Sequence, residues 1–511
     1  MPAPRSPLRV LKTGLLVSSM ALALSGCALA VGPDFERPAA PNVSSYTAEP
    51  MPAETVSAPI VGGDAQKFLE GGDVAADWWK AFGSETLNAL VEHALAANAD
   101  LGAARAALRQ AEETYLASMG PLLPSVSASG SANRQEVALN NGGPNAGSTY
   151  NLYNASVGVS YSLDIFGGIR RSVEAQRASS QFTRFQLEAT YLTLIGNVLT
   201  ASIQQASLSE QVAATEDIIK GQRQTLDLLN QQYELGAVAR GDVLSQQAQL
   251  AQTEATLPPL QKQLSIVRNQ LSVLMGRFPS EGQIPRLTLA DLTLPQDLPV
   301  SVPSRIVEQR PDIRASEALL HQATAQVGIA TANMLPQITL SANYGGSTNS
   351  LPGAADIFDP SAMAWNLIGG VTQPIFRGGQ LLHQRKASVA NLDRASEQYR
   401  GTVLTAFANV ANVLRALELD AQALKAQLDA ERSAAESLTI TRERFRAGAI
   451  SSLALIDAER TYQQAKINLV QAQAIRYADT VALFQALGGG WWNRANQDIA
   501  QNTTSTITST P

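Results

Sequence analysis

Tyr233-Glu234-Leu235-Gly236-Ala237-Val238 is answered 212 positions later by Phe445-Arg446-Ala447-Gly448-Ala449-Ile450. Each stretch places a glycine three residues after an aromatic ring, where a helix that must turn back needs a positive φ. The same offset joins Val243-Leu244 to Leu455-Ile456, Leu123-Pro124-Ser125-Val126 to Leu335-Pro336-Gln337-Ile338, and Asp100-Leu101 to Asp312-Ile313. Leu108, Gln110 and Ala111 likewise match Leu320, Gln322 and Ala323. Ile165-Phe166 and Ile375-Phe376 slip to 210. A length of 511 residues would suggest three or four domains, but a sustained offset reads as one unit present twice.

Each unit has the same order. A helix of 85–119 or 304–334 is stopped by Leu-Pro, because the residue before proline avoids helical ψ. A strand follows (125–132, 337–344), then a polar Gly/Asn/Pro-rich loop (137–152, 346–361) and a second strand (153–165, 364–375). A very long helix comes next, 168–233 or 379–446, with no proline inside it. At 1.5 Å per residue such a helix rises about 100 Å. Phe182, Phe185, Ala189, Leu192, Ile195, Leu199, Ile203 and Ala206 recur at three and four. So do Leu392, Ala395, Tyr399, Val403, Ala406, Val410, Val413 and Leu417, continued by Leu424, Leu428, Ala435, Leu438 and Phe445. This spacing is the coiled-coil pattern. A returning helix follows the glycine turn. Pro258-Pro259 interrupts the first of these where the second has Val470-Gln471, so a break or kink is expected there.

The strands alternate small polar with apolar side chains, as in Val157, Val159, Tyr161 and Leu163. Four strands cannot close a barrel, for which eight is about the minimum. Three chains giving four each would form a 12-stranded barrel and satisfy every edge in a membrane. The competing reading is a small soluble sheet capping a helical bundle.

Arg5, Arg9 and Lys12 precede a short apolar run that ends in Leu24-Ser25-Gly26-Cys27. The run is too short to span a bilayer, and the sequence resembles a lipobox, cut before Cys27, whose thiol then carries a lipid. Ala28 in place of an aspartate directs it to the outer membrane. Residues 28–83 are rich in Pro, Ala and Ser and read as an extended tether. A single Cys excludes a disulfide framework, and a net charge of −6 argues against nucleic acid. His93, His321 and His383 are scattered along helical patterns. Neither a nucleophile–base constellation nor a P-loop appears, so the expectation is no enzyme, no metal and no cofactor beyond the lipid on Cys27.

The chain resembles the outer-membrane efflux channel lipoproteins of the TolC/OprM (NodT-type) outer membrane factor family. The marks, in order, are Leu24-Ser25-Gly26-Cys27, Val31-Gly32-Pro33-Asp34-Phe35-Glu36-Arg37-Pro38, Asp77-Trp78-Trp79-Lys80-Ala81-Phe82, Arg310-Pro311-Asp312-Ile313, and Pro374-Ile375-Phe376 with Gly378-Gly379. The resemblance implies an α+β membrane protein. It is a homotrimer whose 12-stranded β-barrel continues into a periplasmic coiled-coil tunnel, the exit duct of a tripartite pump. Its implied partners are a periplasmic adaptor, an inner-membrane transporter of the proton-driven resistance-nodulation-division type, and outer-membrane lipid. The corresponding segments are a signal peptide (1–26), an anchored tether and equatorial segment (27–83), two repeats (84–276, 303–487), an equatorial linker (277–302) and an equatorial tail (488–511).

By the same resemblance, the turns Tyr233, Gly236, Ala237, Val238 and Phe445, Gly448, Ala449, Ile450 are adaptor contacts at the periplasmic tips. Leu453, Asp457 and Arg460 share a helix face at i, i+4 and i+7, and matching Leu and Asp positions narrow the family's periplasmic aperture. Threefold repetition of Asp457 would make a carboxylate ring that attracts cations. A solvated face with an Asp457–Arg460 pair is the plainer alternative. Asp242 is a second acidic candidate near the first turn. Protein secretion by a type I system, metal-ion efflux and a structural coiled-coil envelope lipoprotein are the rival functions.

Overall fold

The computed structural model describes residues 30–136, 149–281, 284–348, 357, 359–361 and 363–494. The chain opens with strand β1 (Lys67–Glu70). The first half then runs α1 (Glu85–Ala97), α2 (Ala99–Ser118), β2 (Ser125–Glu136), β3 (Thr149–Leu163), α3 (Gly168–Glu234) and α4 (Arg240–Leu274). Strand β4 (Asp297–Val300) leads to the second half. There follow α5 (Pro303–Gln309), α6 (Pro311–Ala332), β5 (Gln337–Thr348), β6 (Met363–Thr372), α7 (Gln380–Arg446) and α8 (Ser452–Ala486). Helices α3 and α7 each have 67 residues, and α4 and α8 each have 35.

Two expectations need correction. The first helix of each half is not continuous. Asn98 adopts an extended ψ of 129°, and its Oδ1 accepts the Leu101 N–H at 3.0 Å, so the side chain starts a new helix. In the second half Pro311 forces Arg310 to ψ 126°, dividing α5 from α6. Conversely, α4 runs unbroken through Pro258 and Pro259. Both prolines are exposed, so water can take the place of the missing N–H donors.

The chain forms two compact units. One comprises the peptide up to Arg37, Arg109–Phe182 and Glu317–Gln398. Its four-stranded antiparallel sheet has the order β2-β3-β5-β6. Directly paired residues share a face. One face carries Ser125, Ser127 and Ser129 opposite Ser160, Gly158 and Ser156. The other carries Val126 and Val159, Val157 and Tyr344, and Trp365, which is 77% exposed. Strands β2 and β6 are edges, and all twelve residues of β2 are exposed.

The 30–37 peptide is docked, so the expected tether is not free there. Val31 N–H donates to the Phe166 carbonyl at 3.1 Å, and Arg171 reaches Asp34 at 2.6 Å. Phe35 stacks on His321 with centroids 4.3 Å apart, and Arg37 pairs with Glu317 at 2.9 Å. Gly32 has φ 96°, and a Cβ there would stand 2.5 Å from Gly328 Cα.

The second unit comprises Pro38–Leu108, Thr183–Ser316 and Tyr399–Pro511. Along α7, Tyr399, Val403, Ala406, Val410, Leu417, Leu424, Leu428, Leu438 and Phe445 are buried as their spacing requires. Leu414 is buried in place of Val413 and Ala434 in place of Ala435, one step forward and one back, while the seam keeps its place at Leu417, Leu424, Leu428 and Leu438. Strand β1 pairs in parallel with β4. Trp78, Trp79 and Phe82 are buried, and Trp78 stacks on Phe484 at 5.0 Å. Arg476 is fully buried, donating to Thr55 Oγ1 at 2.9 Å and to the Asp64 carbonyl at 2.6 Å. That bonding fixes residues 55–64, so the second stretch of the expected tether is also held to the helices.

Candidate functional site

The two helix-to-helix turns have one backbone geometry. In the first, Gly236 has φ 74°, its N–H donates to the Tyr233 carbonyl (2.9 Å), and Ala237 N–H donates to the Gln232 carbonyl (2.8 Å). In the second, Gly448 has φ 72°, with Gly448 N–H to Phe445 O and Ala449 N–H to Arg444 O, both 2.9 Å. This is the Schellman pattern, which satisfies the last carbonyls of a helix. A Cβ on either glycine would meet nothing within 4 Å, so φ rather than space requires glycine.

Beneath the turns, Leu229, Leu438, Phe445 and Leu455 form a buried cluster. Val238, Val243, Ile450 and Tyr462 pack around it. The expected contact residues therefore differ in exposure. Phe445 is 6% exposed and supports the tip from inside, whereas Tyr233 is 45% exposed. Gly236, Ala237, Gly448 and Ala449 are exposed, and Val238 and Ile450 are half-buried. Asp242 serves both hairpins. Its Oδ2 accepts the Ala239 N–H at 3.2 Å at the start of α4, and its Oδ1 accepts the Ser452 hydroxyl at the start of α8.

Leu453, Asp457 and Arg460 stand together on one exposed face of α8, with Leu453 63% exposed. Among the described residues, Asp457 and Arg460 form no ion pair. On the opposite, buried face lies Glu459, 2% exposed. Its Oε1 receives Thr225 of α3 and Arg442 of α7, each at 3.4 Å. Burial raises its pKa above the ordinary carboxylate range, and Arg442 only partly offsets this. The other oxygen, Oε2, has no hydrogen-bond partner among the described residues.

Long hairpins with matched turns, an open sheet with one polar and one apolar face, and a twofold element order all fit one known architecture. Residues 90–277 and again 302–489 match the outer membrane efflux protein family. The chain belongs to that family. It is 31% identical to the pyoverdine export outer membrane protein OpmQ of Pseudomonas putida, over 81% of this chain and 88% of the relative. It is 29% identical to the probable efflux pump outer membrane protein TtgC of the same species, over 97% and 99%. The solved outer-membrane channel OprN matches with a TM-score of 0.80 at 27% identity, covering 90% of this chain and 99% of that one. The protein is the outer-membrane component of an efflux pump with a large periplasmic part, and its family consists of channels rather than enzymes.

Cys27 lies outside the described residues. Of the three histidines, His321 pairs with Glu174 at 2.9 Å in a part-buried contact between α6 and α3, and His93 meets the exposed Arg277 at 2.6 Å. Sequence reasoning passed over Glu459, Thr225, Arg442 and the Asp242–Ser452 bond. The available signal for Glu459 was its place four residues after buried Leu455, a charge within an apolar seam.

Proposed function

We propose that three copies of the chain close a 12-stranded barrel and convey small toxic compounds outward as a passive duct. The carrying observation is the open sheet. Its edges β2 and β6 are unpaired, one face is Ser/Asn/Gly, and the other is Val/Tyr/Trp/Leu. Edges of this length cannot be left unpaired in lipid. Pairing β2 of one copy with β6 of the next satisfies them, turns the polar face to the lumen and the apolar face to the bilayer. The two matched halves are then a duplicated unit, and a lipid on Cys27 adds a second hold on the membrane.

In this reading the turns at 233–238 and 445–450 meet the periplasmic adaptor, which links the duct to a proton-driven inner-membrane transporter of the resistance-nodulation-division type. Three copies of Leu453, Asp457 and Arg460 line the periplasmic aperture. Support comes from their shared exposed face and from the absence, among the described residues, of an ion pair that would occupy Asp457. The test is the mass and single-channel conductance of the detergent-extracted protein. A trimer whose conductance rises in Asp457→Ala is expected. A pore-less monomer would overturn the barrel, and an unchanged conductance in the variant would overturn the ring.

A further inference from the structure

The two turns share a backbone but not a chemistry. Between 231 and 243 the charged side chains are Glu234, Arg240 and Asp242. At the equivalent positions, 443 to 455, they are Glu443, Arg444 and Arg446. Glu234 stands where the second turn has Arg446, Gln232 where it has Arg444, and Leu235 where it has Ala447. Asp242 is already committed to Ser452 and to the Ala239 N–H. Glu234, Arg444 and Arg446 are exposed, and none of them forms an ion pair within the described chain.

Helix stability explains only one side of this contrast. Arg444 and Arg446 lie in the last turn of α7, where the negative end of the helix dipole favours cations. Glu234 is the last residue of α3, where the same dipole disfavours a carboxylate. Leu235 beside it is 84% exposed, so its apolar side chain gains little from burial in the fold. A carboxylate and a leucine held out at a hydrogen-bonded turn, both unhelpful to the fold, are features of a contact surface.

Resting on the adaptor-docking reading above, we propose that the two turns are non-interchangeable sockets for the adaptor. The 444–449 turn takes an acidic surface, paired with Arg444 and Arg446. The 233–237 turn takes an apolar recess for Leu235 flanked by a basic group for Glu234. The repeated backbone geometry sets both sockets at the same register, and side-chain charge tells the partner which is which. An adaptor surface acidic enough to suit the second turn is repelled by Glu234 at the first.

The experiment places the photo-crosslinking residue p-benzoylphenylalanine at position 235 or 447 of the full lipidated channel, in cells that also make its adaptor. Cross-linked adaptor peptides are identified by mass spectrometry. The 447 probe should attach beside carboxylates and the 235 probe to a different peptide. Arg446→Glu should lower the 447 cross-link about tenfold, as expected for about 1.4 kcal/mol, and leave the 235 cross-link within about twofold. Glu234→Arg should do the reverse. Arg446→Gln should give an intermediate loss, separating charge repulsion from lost pairing. One adaptor peptide captured by both probes, indifferent to Arg446→Glu, would overturn the two-socket proposal and leave docking at the tips intact. No adaptor peptide at either probe would overturn both.

Discussion

Replacing Phe445 by alanine tests whether the second turn is held from inside. Phe445 is 6% exposed and shares a cluster with Leu229, Leu438 and Leu455. Truncating a buried phenylalanine costs about 3–5 kcal/mol, the lower end applying where the surroundings can collapse. A helix terminus can collapse, so about 3 kcal/mol is expected. At about 1.4 kcal/mol per decade, that is roughly a hundredfold loss of amide protection in the surrounding residues. Tyr233 is the equivalent ring in the first turn but is 45% exposed. Its removal should cost about 1 kcal/mol, less than one decade. Hydrogen exchange by mass spectrometry on the detergent-extracted channel would read peptides across both turns. Equal losses in Phe445→Ala and Tyr233→Ala, or protection unchanged around residue 445, would refute the claim that burial rather than sequence equivalence sets the role of each ring.

Three further outcomes are expected. Asp242→Ala and Ser452→Ala should each raise channel conductance by untying α4 from α8, and the double variant should do no more than Asp242→Ala alone, which already removes both that bond and the acceptor of the Ala239 N–H. Asp479 is pushed up to about 8, from an ordinary value of 3.8, by burial and then by the Asp420 carboxyl. The folded chain then holds a proton that the unfolded chain has released, so stability should be greatest at acid pH and fall as pH rises from about 4 through about 8. Thermal unfolding at pH 5 and pH 8 should show that slope, flattened in Asp479→Asn. Gly236→Ala and Gly448→Ala should each destabilise by about 1–2 kcal/mol through positive φ alone, because no atom crowds either site. Hydrogen exchange confined to the altered turn is the check.

The fold was legible where a pattern repeats. Helices of 67 and 35 residues follow from apolar spacing and from the glycine that ends each run, and the strands from alternation after Leu-Pro. What escaped was decided by single side chains acting across the chain. Asn98 breaks a helix by capping Leu101, a choice that asparagine in a helical pattern does not announce. The prolines at 258 and 259 point to a break or a kink; that the helix does not break there goes with their exposed face, which sequence does not announce. That Leu453, Asp457 and Arg460 share one face follows from their spacing, whereas an aperture role for them rests on the resemblance. Glu459 was not readable, because its partners Thr225 and Arg442 come from two other helices.

The equal helix lengths carry a consequence for how such a chain can change. One residue inserted into α3 would advance everything beyond it by about 1.5 Å and rotate it by about 100°. Leu229 would leave its cluster, and Gly236 would arrive out of step with Gly448. A deletion in α8 would do the same to Leu455 and Glu459. Length variation should therefore fall in segments outside the paired helices, while substitutions on exposed helix faces away from the turns and from Leu453, Asp457 and Arg460 should be tolerated. Drift in this lineage should appear as changed letters in α3, α4, α7 and α8, and as gained or lost ones only in the connections.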